Sequence, residues 1–147
     1  MQLIKLYYEN NEIHSSDITY PLEDVLKVFN SCFPEKMTIE LLKEFSNICI
    51  FTLYEKELPI GMFWLERKTR DVSFMTSFAI IPSHQRKGIG SKLFQCLPAI
   101  INITDTECIL FDVQKENKGS VAFYEAQKNC KKLDVMNKCF ICSVKGF

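Results

Sequence analysis

Residues 80–94, "IIPSHQRKGIGSKLF", constrain the fold more than any other stretch of the chain. Ahead of them, Val72, Phe74, Phe78 and Ile80 recur at even spacing, as on one apolar face of a strand. Behind them, Ile89, Leu93, Cys96, Leu97, Ile100 and Ile101 recur at helical spacing. A proline and two glycines mark the change of period. An apolar strand that feeds a helix through a short loop belongs in an α/β sheet with helices on its faces. Pro98 lacks the N–H that would bond the carbonyl four residues back, so this helix ends near Leu97 or kinks there.

The loop itself suggests a ligand. A helix N-terminus leaves N–H groups unsatisfied, and it holds phosphate when the backbone can approach closely. Gly88 and Gly90 permit that approach because no Cβ stands in the way. Arg86, Lys87 and Lys92 add positive charge around the same spot. The pattern is not a Rossmann fingerprint, since position 93 is Leu where G-x-G-x-x-G needs glycine, nor a Walker loop, since G-x-x-x-x-G-K-[ST] is absent. The residues alone leave open a pyrophosphate site from about Arg86 to Ser91 and a glycine-capped polar loop.

The rest of the chain reads as strands and helices in a definite order. "QLIKLYYE" is a first strand. "PLEDVLKVFNSCF" carries Leu22, Val25, Leu26, Val28, Phe29 and Cys32 at helical spacing, with Pro21 suited to the first turn. "TIELLKEFS" predicts a second helix with Thr38 as N-cap. "ICIFTLYE" and "LPIGMFWLERK" predict a hairpin around "EKE". After the loop and its helix come the strand "ECILFDV", apolar on both faces, and the short helix "SVAFYEAQKN". "KKLDVM" and "KCFICSVK" predict a closing hairpin around Met136 to Lys138.

Composition narrows the function classes. The 147 residues point to one domain with a substantial core, and no repeat or linker divides it. Lys plus Arg equals Asp plus Glu at 18 each, which argues against a broad nucleic-acid face. No segment approaches the ~18 apolar residues of a membrane span, and "MQLIKLYYENNEIH" lacks a signal peptide's pattern, so a cytoplasmic protein without a membrane partner is expected. The seven cysteines are then expected as reduced thiols. Cys139 and Cys142 form a lone C-x-x-C on a strand pattern, where residues three apart point to opposite faces, so no metal is expected there.

"FAIIPSHQRKGIGSKLF" resembles the acyl-CoA-binding motif of the GNAT superfamily of N-acetyltransferases, Q/R-x-x-G-x-G/A at a strand-to-helix junction. Gln85, Gly88 and Gly90 fill the motif positions. "LFDVQKENKGSVAFYEA" resembles that family's next strand and helix, with Asn117 followed seven residues later by Tyr124. The order of elements fits over nearly the whole chain. The resemblance implies a mixed α/β fold, a mainly antiparallel sheet of about seven strands with about four helices on its faces, as one domain over residues 1–147. Two departures stand out: Lys128 and Asn129 occupy the places of a Gly-Phe loop end, and Pro98 interrupts the loop-proximal helix.

The resemblance also implies roles. The activity would be N-acetyl transfer from acetyl-CoA, as acyl-donor co-substrate and without a metal, to a primary amine on a small molecule, peptide or protein. Phe78, Ala79 and Ile80 would offer backbone groups to the pantetheine arm. Arg86, Lys87, Gly88, Ile89, Gly90 and Ser91, next to Gln85, would hold the pyrophosphate. Asn117 would contact pantetheine or cap the next helix. A strand N–H near Ile80 would stabilise the oxyanion, and the Tyr124 hydroxyl would protonate the leaving thiolate. For the general base, Asp112 in the apolar run "ILFDV" is the leading candidate, with Glu66 and ordered water as alternatives. A non-catalytic acyl-CoA-binding or sensing domain would share the loop without the chemistry. Polyamine, antibiotic, amino acid, peptide N-terminus and lysine side chain all stay open as acceptors, as do monomer and homodimer.

Overall fold

The computed structural model describes residues 1–97, 99, 108–112, 118–127, 130–133 and 139–143, the backbone alone for residue 112 and the last two of these segments. In chain order the elements are β1 (Gln2–Glu9), β2 (Glu12–Ser16), α1 (Leu22–Cys32), α2 (Ile39–Lys43), β3 (Ile48–Glu55), β4 (Leu58–Arg67), β5 (Val72–Ile80), a 3-10 turn (Pro82–His84), α3 (Ile89–Gln95), β6 (Cys108–Asp112), α4 (Lys118–Glu125), β7 (Cys130–Leu133) and β8 (Cys139–Ser143). The strands form one sheet in the order β2-β1-β3-β4-β5-β6-β8-β7. Only β1–β3 and β5–β6 are parallel among the pairs described.

The sheet has eight strands, where about seven are expected from sequence. The addition is β2, which turns back on β1 through Asn10 and Asn11 with φ of 53° and 62°. Asparagine tolerates this left-handed conformation, and a two-residue loop of such residues closes a hairpin. β2 carries no apolar alternation because it is an edge strand, mostly exposed.

The sheet is covered on both faces. β3 is buried from Ile48 to Tyr54, as a strand with helices above and below must be. One face packs Ile50, Met62, Trp64 and Ala79 under Val25 and Val28 of α1 and Leu42 of α2. The other packs Phe51, Phe63 and Ile80 under Leu93 and Phe94 of α3 and Tyr124 of α4. Thr38 caps α2 as expected, accepting from the Leu41 N–H at 3.2 Å. α3 ends at Gln95, just before Leu97. Pro98 and the turn at Met136 to Lys138 lie outside the described residues.

One sequence expectation fails inside β5. Trp64 pairs with Ser77 but Leu65 pairs with Met75, which leaves Thr76 as an extra residue. The bulge resets the alternation. Met75 therefore joins Phe78 and Ile80 in the core under α3 and α4, and Val72 and Phe74 do not share that face.

Candidate active site

The bulged strand is also where the sheet opens. β5 pairs with β6 only at Val72, Ser73 and Phe74, and from Met75 to Ile80 its only described strand partner is β4. The Ile81 N–H donates to the Ile60 carbonyl on β4 at 2.9 Å. Strand alternation then turns the polar backbone groups of Phe78 and Ile80 toward the edge that β6 has left. Phe78 and Ile80 direct their side chains to the α3–α4 face and Ala79 to the α1 face, so the opening is reached from both sides of the sheet.

Beyond Ile81 the chain enters the 3-10 turn. His84 Nε2 lies 3.1 Å from Glu55, and its Nδ1 lies 2.8 Å from Ser83 Oγ, which ties the turn to the β3–β4 hairpin. Arg86 and Gly88 then adopt left-handed backbone with φ of 62° and 81°. Alternating left- and right-handed residues curl successive N–H groups into a concave array suited to an anion. The Lys92 N–H makes the first helical bond, 3.1 Å to the Gly88 carbonyl, so the N–H groups of Ile89, Gly90 and Ser91 have no acceptor within the helix.

A cleft of about 550 Å³ runs from this loop along the open edge. Gln85, Arg86, Gly88, Gly90 and Ser91 line one end, and Phe78, Ala79 and Ile80 form its floor. Gly119, Ser120, Phe123 and Tyr124 of α4 form one wall, and Cys32 and Phe33 at the end of α1 form the other. An ideal Cβ on Gly90 would sit 3.7 Å from Ile80 and 3.8 Å from Phe123, at ordinary contact distance, so α3 packs close against β5 and α4 here. Tyr124 is only 8% exposed. Its ring packs 4.5 Å from Phe111 and 5.5 Å from Phe94, which fixes where its hydroxyl can be.

Most of the sequence candidates meet in this cleft, and several do not. The Ile89 side chain is in the core, 3% exposed, so only its backbone can serve a ligand. Lys87 is exposed and does not line the cleft. The Lys92 ammonium turns away, donating to the Asn11 carbonyl at 2.8 Å. Gln85 reaches back to the Ile80 carbonyl at 2.8 Å. Asp112 ends β6 two residues past the last β5–β6 rung, and Asn117 lies outside the described residues. Glu66 pairs with Lys68 at 2.9 Å and sits opposite Phe74, at the closed end of β5, so it does not reach the cleft.

Cys32, Phe33 and Phe123 are lining residues that the sequence pattern does not single out. Each reads as an ordinary apolar position of an amphipathic helix or its end. Only the packing of α1 and α4 beside the open edge makes them part of the cleft. Among the described residues no group of three or more His, Cys, Asp or Glu could hold a metal ion. No described helix is long and apolar enough to cross a membrane.

Several solved acetyltransferases have a similar fold. The ribosomal-protein-S18-alanine N-acetyltransferase of Escherichia coli superposes with a TM-score of 0.69 at 12% identity, over 84% of this chain and 87% of that one. A GNAT family acetyltransferase from Elizabethkingia anophelis, solved with acetyl-CoA bound, gives 0.60 at 11% identity, over 88% and 94%. The PaiA N-acetyltransferase of Thermoplasma acidophilum, in complex with coenzyme A, gives 0.54 at 14% identity, over 71% and 70%. No curated protein sequence matches the chain. The sequence profile of the acetyltransferase (GNAT) family matches residues 18–128, a span that contains the open strand, the glycine loop and Tyr124, and the chain belongs to that family.

Proposed function

We propose that this acetyltransferase moves an acetyl group from acetyl-CoA to a primary amine by direct attack of the amine on the thioester. The observation that carries the reading is the cleft where β5 parts from β6, with the glycine loop at one end and Tyr124 beside the open edge. The residues fit the co-substrate. The backbone from Arg86 to Ser91 would receive the pyrophosphate, and the free edge of Phe78 to Ile80 would pair with the amide-bearing arm as an added strand. Acetyl-CoA supplies the activated acyl group.

The chain's part is to orient and to move protons. A strand N–H near Ile80, directed at the open edge, would donate to the carbonyl oxygen as negative charge develops on it. The Tyr124 hydroxyl would give its proton to the departing sulfur. The attacking amine must shed a proton in turn, to Asp112 or to water. The open access from the α1 face, past Cys32 and Phe33, is the route for the amine. The Escherichia coli neighbour acts on an alanine of a ribosomal protein, which makes peptide N-termini a sensible first set in an acceptor screen.

Thermal unfolding of the purified protein tests the reading. Acetyl-CoA or CoA at ~100-fold excess over Kd stabilises a folded binder by ~2.7 kcal/mol, and ATP serves as the control. A rise with both thio-nucleotides and none with ATP is expected. No shift at millimolar acetyl-CoA would remove the proposal.

A further inference from the structure

An arm paired with Phe78 to Ile80 would carry its acetyl end away from the glycine loop and toward the bulge, where Ser77 lies beside Thr76. Tyr124 flanks this stretch from the α4 face, its ring 6.5 Å from that of Phe78. The opposite face is aromatic as well. Strand alternation turns Ser77 to the α1 face, the side that Ala79 takes. The cross-strand partner of Ser77 is Trp64, whose side chain packs on that same face.

Trp64 begins a row of rings. Phe29 of α1 stacks on it at 6.0 Å with the planes 11° apart, and Phe45, just past α2, packs on it at 5.3 Å. Phe33 lies 4.6 Å from Phe29 and lines the cleft. The row thus joins the cleft wall to the surface, where Phe45 is 38% exposed. The connection between α1 and α2 is pinned. Asn30 accepts from the Met37 N–H at 2.8 Å and donates to the Met37 carbonyl at 3.2 Å, and the Lys36 ammonium donates to the Asn30 carbonyl at 2.6 Å. These bonds set Phe33 in place before any ligand arrives.

The four rings carry no charge, and their surroundings add none. Trp64 Nε1 is buried without a hydrogen-bond partner among the described residues, so the ring's one polar atom has no protein acceptor within reach. Asp24 of α1 is already engaged, by the Tyr54 hydroxyl at 2.6 Å and the Lys27 ammonium at 3.3 Å. We propose that Phe29, Phe33, Phe45 and Trp64 select the acceptor: a primary amine with an aromatic or branched aliphatic group within a few bonds of its nitrogen, at a peptide N-terminus or in a small arylalkylamine. The apolar group packs against the row while the nitrogen faces the acetyl carbonyl. Polyamines and lysine side chains carry no such group and gain little there. The inference rests on the acetyl-transfer reading of this site.

Trp64 is the chain's only tryptophan, so its fluorescence reads occupancy of the row directly. Full-length protein is loaded with CoA, which has no acetyl group to give. It is then titrated with phenethylamine, Phe-Gly amide, Leu-Gly amide, Gly-Gly amide, putrescine and Nα-acetyl-lysine amide. Initial rates with acetyl-CoA, followed by thiol release, give kcat and KM for the same amines. The aromatic and leucyl amines should change the fluorescence and bind about tenfold or more tighter than the other three, the factor that one buried apolar side chain supplies. A preference shown by phenethylamine alone identifies a free amine, and one shown by Phe-Gly amide a peptide N-terminus; either supports the proposal. Phe45→Ala and Phe29→Leu should erase most of the preference through KM rather than kcat, while acetyl-CoA affinity stays within about twofold. Phe45→Tyr, which keeps the ring, should retain it. Phe45 is exposed, so its variants are read even where Phe29→Leu fails to fold. Gly-Gly amide, putrescine or the lysine amide binding as tightly as the aromatic amines, a Trp64 fluorescence silent to all of them, or a preference untouched by Phe45→Ala overturns the proposal. A protein that binds neither acetyl-CoA nor CoA overturns the acetyl-transfer reading itself, an outcome seen before any amine is added.

Discussion

Gly88 and Gly90 stand two residues apart in one loop, and the structure gives them opposite sensitivities. Gly88 has φ of 81°, yet a Cβ built on it meets nothing within 4 Å. The cost of Gly88→Ala is therefore conformational, roughly 1–2 kcal/mol for a left-handed alanine. A stiffer unfolded chain returns about 0.4–1 kcal/mol, which leaves a net loss near 1 kcal/mol. Gly90 lies inside α3, and its added Cβ would make ordinary contacts at 3.7–3.9 Å. Gly90→Ala removes a helical glycine and gains about 0.5–1 kcal/mol. The two variants should thus differ by roughly 1.5–2 kcal/mol, or about 3–8 °C in Tm at this chain length. Trp64, the single tryptophan, is 3% exposed, so its fluorescence reports unfolding without a label. Gly88→Asn should recover part of the loss because asparagine tolerates this backbone. A Gly88→Ala protein that melts at or above the wild type would refute the reasoning.

Three further outcomes are expected. Tyr124→Phe should keep CoA binding and the ring packing against Phe111 while turnover with an active acceptor drops about a hundredfold or more; wild-type turnover would remove Tyr124 from the proton path. Gly61→Ala should cost about 1–3 kcal/mol in a urea melt, because its Cβ would fall 2.6 Å from Ile80 Cδ1 and 3.1 Å from the Ala79 carbonyl; an unchanged midpoint would show that β5 yields there. Burial pushes the Cys49 thiol up from 9.0 to about 12, against smaller opposing pulls from the amino terminus and Arg67. Its contribution to stability is then complete below pH 9.0 and lost as pH rises toward about 12, so Tm should fall across that window and Cys49→Val should flatten the fall.

The strands and helices were legible wherever one residue period ran without interruption. β3, β4 and α1 follow from their apolar spacing, and the loop with its glycines follows from the change of period at Pro82. The bulge at Thr76 was not legible, because an extra residue in one strand is defined only by the partner it fails to match. β2 carried a turn signal at Asn10 and Asn11 but no apolar face to make the following residues look like a strand. In the cleft, the places of Gly88, Gly90 and Tyr124 were legible because the motifs that the sequence resembles set them at fixed spacing. The turning away of Lys92 and the reach of Gln85 to Ile80 were not. Both depend on which backbone carbonyl comes within range of a long side chain, and that is fixed by tertiary packing. Cys32 was hidden for the same reason: an apolar helix position gives no sign of the carbonyl facing it.

The span that shares sequence with the family begins at residue 18, but the cooperative unit does not. β1 lies ahead of that span and runs beside β3 from Gln2 opposite Cys49 to Tyr7 opposite Tyr54. Its Leu6 is wholly buried, and the hairpin it makes with β2 is hooked to α3 through Lys92 and Asn11. A fragment cut at the family boundary would bare the length of β3, a strand buried from Ile48 to Tyr54, as a sticky edge for any other chain. It would also release the helix that follows the glycine loop from its anchor. The span that the family profile recognises is thus shorter than the sheet it belongs to, which includes a ribbon built from the first sixteen residues.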